Sequence, residues 1–289
     1  MKKILITGSG GQLGSELKAI HSRYGQFEFI FTDRSNMDIS HESCIQKIID
    51  YRPDFIINTA AYTSVDKSEI DYDNAMLVNA TAVQYLCQAA NSLGAILIHI
   101  SSDYVYHIKK YGPLVETDAT NPQSTYAISK KAGEILVLRE CNKGIIIRTS
   151  WLYSYFGHNF VNTMLHLAET KSELNIVDDQ YGSPTYAADL AQAILDIATF
   201  LSKQDDFKDW GVYNFSNEGI ITWLGFAREI FALNEKNIEL TPTTTKEYNA
   251  PAKRPLWSVM SKQKIKSTFG IHTRHWREAL RECLKIEPK

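Results

Sequence analysis

The chain has 289 residues, with 31 Lys and Arg against 33 Asp and Glu, a formal net charge of −2. That near balance gives no electrostatic footprint for nucleic acid or an anionic membrane surface, and neither is expected as a partner. Apolar residues are 44 % and charged residues 22 %, enough to bury against the entropy of ordering, so disorder as the main state is excluded.

No run of ~18 uncharged apolar residues occurs, so no transmembrane helix is expected. Lys2 and Lys3 lead directly into the first strand-like run, leaving no room for a signal peptide, and a cytoplasmic protein is expected. Cys44, Cys87, Cys141 and Cys283 lie far apart with no CxxC pair, which reads as buried free thiols in a reducing compartment.

The first half alternates two kinds of signal. Short β-branched and aromatic runs at 4–7, 27–32, 54–59, 95–101 and 144–149 read as buried parallel strands. Helical patterns at 12–23, 41–51, 73–93 and 125–141 separate them, which predicts a doubly wound parallel sheet. After residue 150 the strand signals thin out to 174–177 and 211–215, with helices near 159–170, 186–202, 222–233 and 273–284. The polar stretch 202–209 is expected as an exposed loop. The stretch 241–257, with three prolines, is expected to be extended and irregular. No Pro/Gly/Ser-rich linker divides the halves. The expected organisation is a domain over 1–150, extended by parts of 186–215, and a smaller α/β portion over 151–289 packed onto it.

The first strand–helix junction reads Thr7-Gly8-Ser9-Gly10-Gly11-Gln12-Leu13-Gly14, a GxxGxxG. The first glycine permits a tight turn, the second lets the backbone approach a pyrophosphate, and the third lets helix pack on strand. The helix N-terminus adds N–H donors and a positive dipole. Asp33 ends the second strand, where a carboxylate would meet the adenosine ribose. Asp33 suits a free 2′-hydroxyl, whereas Arg34 can pair with a 2′-phosphate. Either NADPH or NADH is therefore expected to serve, with NADPH slightly favoured.

Tyr126-Ala127-Ile128-Ser129-Lys130 is a YxxxK on a predicted helix, which places phenol and ammonium on one face. The ammonium is expected to lower the pKa of the tyrosine, which can then exchange a proton with a carbonyl oxygen. Ser102 closes the fourth strand, at the sheet end where α/β proteins place ligands. A glycine loop, a strand-end serine and a YxxxK in that order are far more specific together than singly.

These residues resemble the extended short-chain dehydrogenase/reductase family, over nearly the whole length. The resemblance is carried by Gly8 to Gly14, Asn58 to Lys67, Ser102 to Val105, Glu116 to Asp118, Tyr126 to Lys130, Arg148 to Tyr153, Asn159-Phe160, Asp179 to Thr185 and Arg254-Pro255. It implies a Rossmann-type fold with a C-terminal substrate-binding portion. It also implies NAD(P)H-dependent reduction of the C4 keto group of a dTDP-sugar, dTDP-4-dehydro-L-rhamnose, for nucleotide-sugar and polysaccharide biosynthesis.

By the resemblance Ser102, Tyr126 and Lys130 form the catalytic triad. Gly8, Gly11, Gln12, Leu13, Gly14, Asp33, Arg34, Asp38, Ile39, Ala60, Ala61 and Tyr62 line the cofactor site, with Asn79 supporting the active-site helix. Thr63, Val65, Tyr104, Trp151 and Asn159 border the sugar-nucleotide pocket, with Arg254 near the diphosphate. A homodimer is possible. Some members bind magnesium at a dimer contact; Glu16 is available, but no carboxylate set accompanies it, and no required metal is expected. His99 and His166 are read as structural, on apolar faces.

Two stretches depart from the family pattern. In the loop 106–113, His107 and Ile108 replace the usual glycine. Arg254 to Met260 reads Arg-Pro-Leu-Trp-Ser-Val-Met in place of Arg-Pro-x-Asn-Ser-x-Leu. Both border the substrate region and leave the exact sugar open. Two other classes remain. A nucleotide-sugar epimerase or 4,6-dehydratase shares the scaffold, although the dehydratase Asp-Glu pair is here Asp103-Tyr104. A non-catalytic module resembling the regulatory beta subunit of methionine adenosyltransferase is the third, against which the intact Ser102, Tyr126 and Lys130 argue.

Overall fold

A computed structural model describes residues 1–108, 110 and 112–285. Lys109 and Tyr111 of the loop 106–113, and the last four residues of the C-terminal portion, lie outside the described residues. The five predicted runs become β1 (Lys2–Thr7), β2 (Phe27–Phe31), β3 (Phe55–Asn58), β4 (Ile96–Ser102) and β5 (Gly144–Thr149). Among them lie α1 (Gln12–Ile20), α2 (Cys44–Tyr51), α3 (Val65–Ser68), α4 (Tyr72–Met76), α5 (Ala82–Leu93) and α6 (Thr125–Glu140).

The rest of the chain forms β6 (Leu152–Tyr153), α7 (Phe160–Leu167), β7 (Glu173–Val177), β8 (Tyr181–Gly182), β9 (Thr185–Tyr186) and α8 (Ala187–Leu201). It continues through β10 (Gly211–Phe215), β11 (Ile221–Thr222), α9 (Trp223–Leu233), β12 (Glu239–Thr243), α10 (Thr245–Tyr248), α11 (Gln263–Phe269) and α12 (Trp276–Leu284).

The central sheet has the order β10-β5-β4-β3-β1-β2, with every pair parallel. Both faces are covered. Ile4, Ile6, Ile57, Ile98, Ile145 and Ile147 pack on one side with Leu13 and Leu17 of α1 and Leu190, Ile194 and Ile197 of α8. Leu5, Ile56, Leu97 and Ile146 pack on the other with Ile48 of α2 and Val83, Leu86 and Ala90 of α5. Alternation along each strand thus serves two buried layers, which is why the runs are continuously apolar. The chain steps outward from β1 to β2 and then returns across β1 to β3. The strand order reverses there, and a crevice opens at the carboxyl ends. The C-terminal portion has its own core, in which Tyr153, Phe226, Ile230, Trp276 and Leu280 meet.

Several expectations are corrected. The helix expected over 73–93 contains a π turn, Leu77–Thr81, between α4 and α5. The expected irregular stretch 241–257 begins in β12, which pairs in parallel with β7, and continues as α10. Thr244 and Glu247 form a reciprocal capping box that starts α10, a Thr-x-x-Glu signal present in the sequence. Pro242 is tolerated because β12 is one of only two strands in its ladder. The helix α11, not expected, buries Ile265 and Phe269 against the sheet. His99 is buried, but His166 is exposed and faces Glu169 at 3.2 Å.

The helix α6 is fastened by charge. Glu134 and Arg148 are both essentially inaccessible to solvent. Arg148 Nε and Nη2 donate to the two carboxylate oxygens of Glu134 at 2.7 Å each, and Ser101 Oγ donates to the same carboxylate at 2.7 Å. The Tyr106 ring lies beneath the guanidinium, 4.5 Å away. Removing one partner leaves the other charge buried and uncompensated. Glu134→Ala is therefore expected to lower unfolding free energy by ~3–5 kcal/mol, read from the urea midpoint; an unchanged midpoint would contradict this fastening.

Candidate active site

A cavity of about 880 Å³ runs along the carboxyl ends of β1, β3, β4 and β5. At one end lie Gly8, Gly11, Gln12, Leu13, Asp33, Arg34, Asp38 and Ile39; at the other lie Ser102, Tyr104, Tyr126, Lys130 and Trp151.

Two of the loop glycines answer to backbone crowding. Gly8 has φ +69°, and a Cβ there would stand 2.6 Å from the Ala60 backbone. A Cβ on Gly14 would stand 2.5 Å from the Gly8 carbonyl oxygen. Gly14 is thus a packing residue beneath the loop and does not line the cavity. Gly11 caps α1 with no side-chain cap, so the first-turn N–H groups stay free toward the cavity. This cradle fits a dinucleotide pyrophosphate.

At the ribose end Asp33 Oδ1 accepts from the Ser35 backbone N–H at 2.8 Å and from its hydroxyl at 2.5 Å. These bonds hold the Asp33 carboxyl below its usual range. Arg34 is almost fully exposed and rests on Asp38, Nε to Oδ2 at 3.0 Å.

Ala60, Ala61, Tyr62, Thr63 and Val65 form the cavity wall after β3. Asn79 holds that wall to α6. Its Oδ1 accepts from the Tyr62 N–H at 2.9 Å, and its Nδ2 donates to the Tyr62 carbonyl at 3.0 Å and to Ser129 Oγ at 2.9 Å. The π turn aims Asn79 at these partners, a re-aiming for which such turns are used. Gly133 completes the joint: a Cβ there would meet the Asn79 carbonyl oxygen at 2.2 Å. Gly133, three residues beyond Lys130, is a requirement of the site that motif spacing did not reveal.

Ser124 caps α6, accepting from the Ala127 N–H at 3.2 Å, and the first two turns carry Tyr126 and Lys130. Lys130 Nζ donates to the Ile100 carbonyl at 2.6 Å. Ser102 Oγ donates to Asp103 Oδ1 at 3.1 Å and accepts from the Tyr104 N–H at 3.2 Å. The Tyr104 ring meets Tyr126 edge to face, centroids 5.6 Å apart.

The electrostatics differ from expectation. Burial pushes the Tyr126 phenol up to about 12, against the hydrogen bond with Ser102, and Lys130 is not among the groups that lower it. Burial brings the Lys130 ammonium down to about 8, with Glu134 opposing. Desolvation of each charged form outweighs any help between the pair here. The phenol is consequently a neutral proton donor. Asp103, not expected in the site, lines the cavity with Oδ2 unpartnered, its carboxyl raised to about 7 by burial.

The substrate-side residues divide. Tyr104, Thr63, Val65 and Trp151 line the cavity. Trp151 has φ +48°, a left-handed backbone that costs a non-glycine residue of order 1–3 kcal/mol. Its ring is stacked on Trp223, a cavity residue absent from the expected set. Asn159 does not line the cavity; it caps α7, accepting from the Asn162 N–H at 3.0 Å. Arg254 does not line it either: its fork holds Asp66 at 3.0 and 2.7 Å. Trp257 Nε1, at a departure from the family pattern, donates to the Gly112 carbonyl at 2.9 Å. Glu16 is buried and accepts from Ser154 Oγ at 2.6 Å. Among the described residues no three His, Cys, Asp or Glu side chains stand together as metal ligands.

The whole chain resembles known proteins. The family model described as RmlD substrate binding domain matches residues 1–287. A dTDP-4-dehydrorhamnose reductase of Aggregatibacter actinomycetemcomitans is 41 % identical, covering 97 % of this chain and 98 % of its own. The spore coat polysaccharide biosynthesis protein SpsK of Bacillus subtilis is also 41 % identical, covering 99 % and 98 %. The crystal structure of a dTDP-4-dehydrorhamnose reductase from Bacillus anthracis in complex with NADP superposes with a TM-score of 0.91 at 34 % identity, covering 98 % and 99 %. The chain therefore belongs to the RmlD substrate binding domain family.

Proposed function

We propose that this protein reduces the C4 keto group of dTDP-4-dehydro-L-rhamnose to give dTDP-L-rhamnose, using NADPH or NADH, in the supply of activated sugar for polysaccharide. The observation that carries the reading is the convergence of Ser102, Tyr126 and Lys130 on the cavity that begins at the glycine loop. The relatives' names and the NADP of the Bacillus anthracis structure support it.

When bound, the reduced nicotinamide supplies a hydride to the carbonyl carbon. The chain's own groups do the rest. Ser102 Oγ and the Tyr126 hydroxyl hold the carbonyl oxygen from two sides. Tyr126 gives that oxygen its proton as negative charge develops there. The Lys130 ammonium, one helical turn on and anchored on the Ile100 carbonyl, has further N–H groups to hold the nicotinamide ribose. Asp66 neutralises the Arg254 guanidinium, which remains our proposal for a diphosphate contact once the nucleotide competes for its fork. Asn159, by holding Ser154 and the start of α7, sets the sugar-side wall from behind.

In our proposal residues 1–150, with parts of 186–215, hold the cofactor, and 151–289 mainly hold the sugar nucleotide. A homodimer and a cytoplasmic location belong to the same proposal; the four free thiols support the second. No helix of the described residues is long and apolar enough to cross a membrane. The dehydratase alternative needs a second carboxylate after Asp103, and Tyr104 stands there instead, packed on Tyr126.

Three measurements test this reading. Tyr126→Phe removes the proton donor and is expected to cut kcat by ~100-fold or more while NADPH still binds; retained turnover would refute the assignment. Burial brings the Lys130 ammonium down to about 8, so log kcat/KM should fall with unit slope above that pH. A profile level to pH 10 would contradict an essential ammonium lowered by burial to about 8. Arg34→Ala should raise KM for NADPH and spare KM for NADH, because Arg34 is free to leave Asp38 for a 2′-phosphate. In the wild type a preference for NADH above ~100-fold, about 2.7 kcal/mol, would contradict dual use.

A further inference from the structure

Trp223 opens α9 and turns its indole into the cavity beside Trp151. The two rings lie with centroids 3.6 Å and planes 11° apart. Two unconstrained aromatic rings prefer an offset or edge-on arrangement, so this face-to-face stack is imposed by its frame. Trp223 Nε1 donates to Oε1 of the buried Gln180 at 3.0 Å, and Gln180 Nε2 donates to Thr245 Oγ1 at 3.0 Å. Phe160 packs on Trp223 with centroids 4.6 Å apart. On the other partner, Trp151 adopts a left-handed backbone, and Gly182 lies so close under its ring that a Cβ would stand 2.6 Å away. The fold gives up a favourable backbone and a side chain to display two indoles together.

The place of this wall says what it meets. Thr149 of β5 is in register with Ser102 of β4, so Trp151 lies two residues beyond the strand position that faces the reacting serine. Leu152 and Gly157 also line the cavity. We infer that Trp223 is a substrate-binding residue, forming with Trp151 one aromatic wall on which the apolar C–H face of the substrate's deoxysugar packs. The inference rests on the reductase reading and adds the residue that grips the sugar. A 4-keto-6-deoxy sugar has exchanged one hydroxyl for a carbonyl and another for hydrogen, which leaves a methyl and a broad C–H face. Those C–H groups pack by apolar burial against the edges that the two stacked rings present to the cavity, while Ser102 and Tyr126 take the carbonyl oxygen.

The test is calorimetric titration with two probes, dTDP-L-rhamnose and dTDP. Trp223→Ala should weaken dTDP-L-rhamnose by roughly tenfold, the scale of an aromatic contact, and leave dTDP within about twofold. Trp223→Phe should recover most of the loss. Unchanged dTDP-L-rhamnose affinity, or equal losses for both probes as a base-stacking wall would give, overturns the inference. NADPH titration serves as the fold control; if the alanine variant fails it, Trp223→Leu, which fills part of the volume without bringing a ring edge to the cavity, carries the same selective loss, smaller than that of alanine. A wild type that binds NADPH but neither dTDP probe would instead remove the underlying reductase reading.

Discussion

The buried pair of Glu134 and Arg148 is the constraint on which the active site depends. Charges removed from water must be paired, and these two meet through both carboxylate oxygens and two guanidinium nitrogens, with Lys131 reaching the same carboxylate at 3.2 Å. Glu134 lies on α6 and Arg148 on β5, so the pair fixes the height of the helix against the sheet. Lys130 is one turn before Glu134 and Tyr126 one turn before that, so the same pair fixes both. The tightness passes onward through Gly133, where α6 touches the π turn, and through Asn79, which holds the Tyr62 wall. One ion pair at the base thereby aligns the tyrosine, the lysine and the wall that faces them.

Burial also sets the proton chemistry. The YxxxK spacing suggests an ammonium that draws the phenol pKa down. In the folded protein the opposite shift wins, because both groups are taken out of water and each charged form is disfavoured. A neutral phenol is the state that can donate, which suits a reductase. Lys130, given one carbonyl acceptor at Ile100, retains further N–H groups to direct elsewhere.

The sheet was legible in the sequence because its strands are buried on both faces and read as uninterrupted Ile, Leu and Phe runs. The glycine loop and the YxxxK were legible for a different reason: each is local, and spacing alone places its groups. What remained hidden depends on crossings between distant segments. Gly133 is silent until Asn79, over fifty residues earlier, is laid against it. Trp223 gains meaning only when α9 brings it onto Trp151. Arg254 and Asn159 were placed on the pocket by resemblance, and the fold shows their side chains engaged with Asp66 and with the start of α7. The α10 capping box, by contrast, was written at Thr244 and Glu247 and was masked by the prolines around it.

The measurement that bears most directly on the account is the stoichiometry and identity of product from purified protein supplied with NADPH and dTDP-4-dehydro-L-rhamnose. The account predicts one dTDP-L-rhamnose for each NADPH oxidised, with the C4 configuration established by proton NMR. A folded protein that binds NADPH yet oxidises none of it, or that converts the sugar without consuming cofactor, would contradict it.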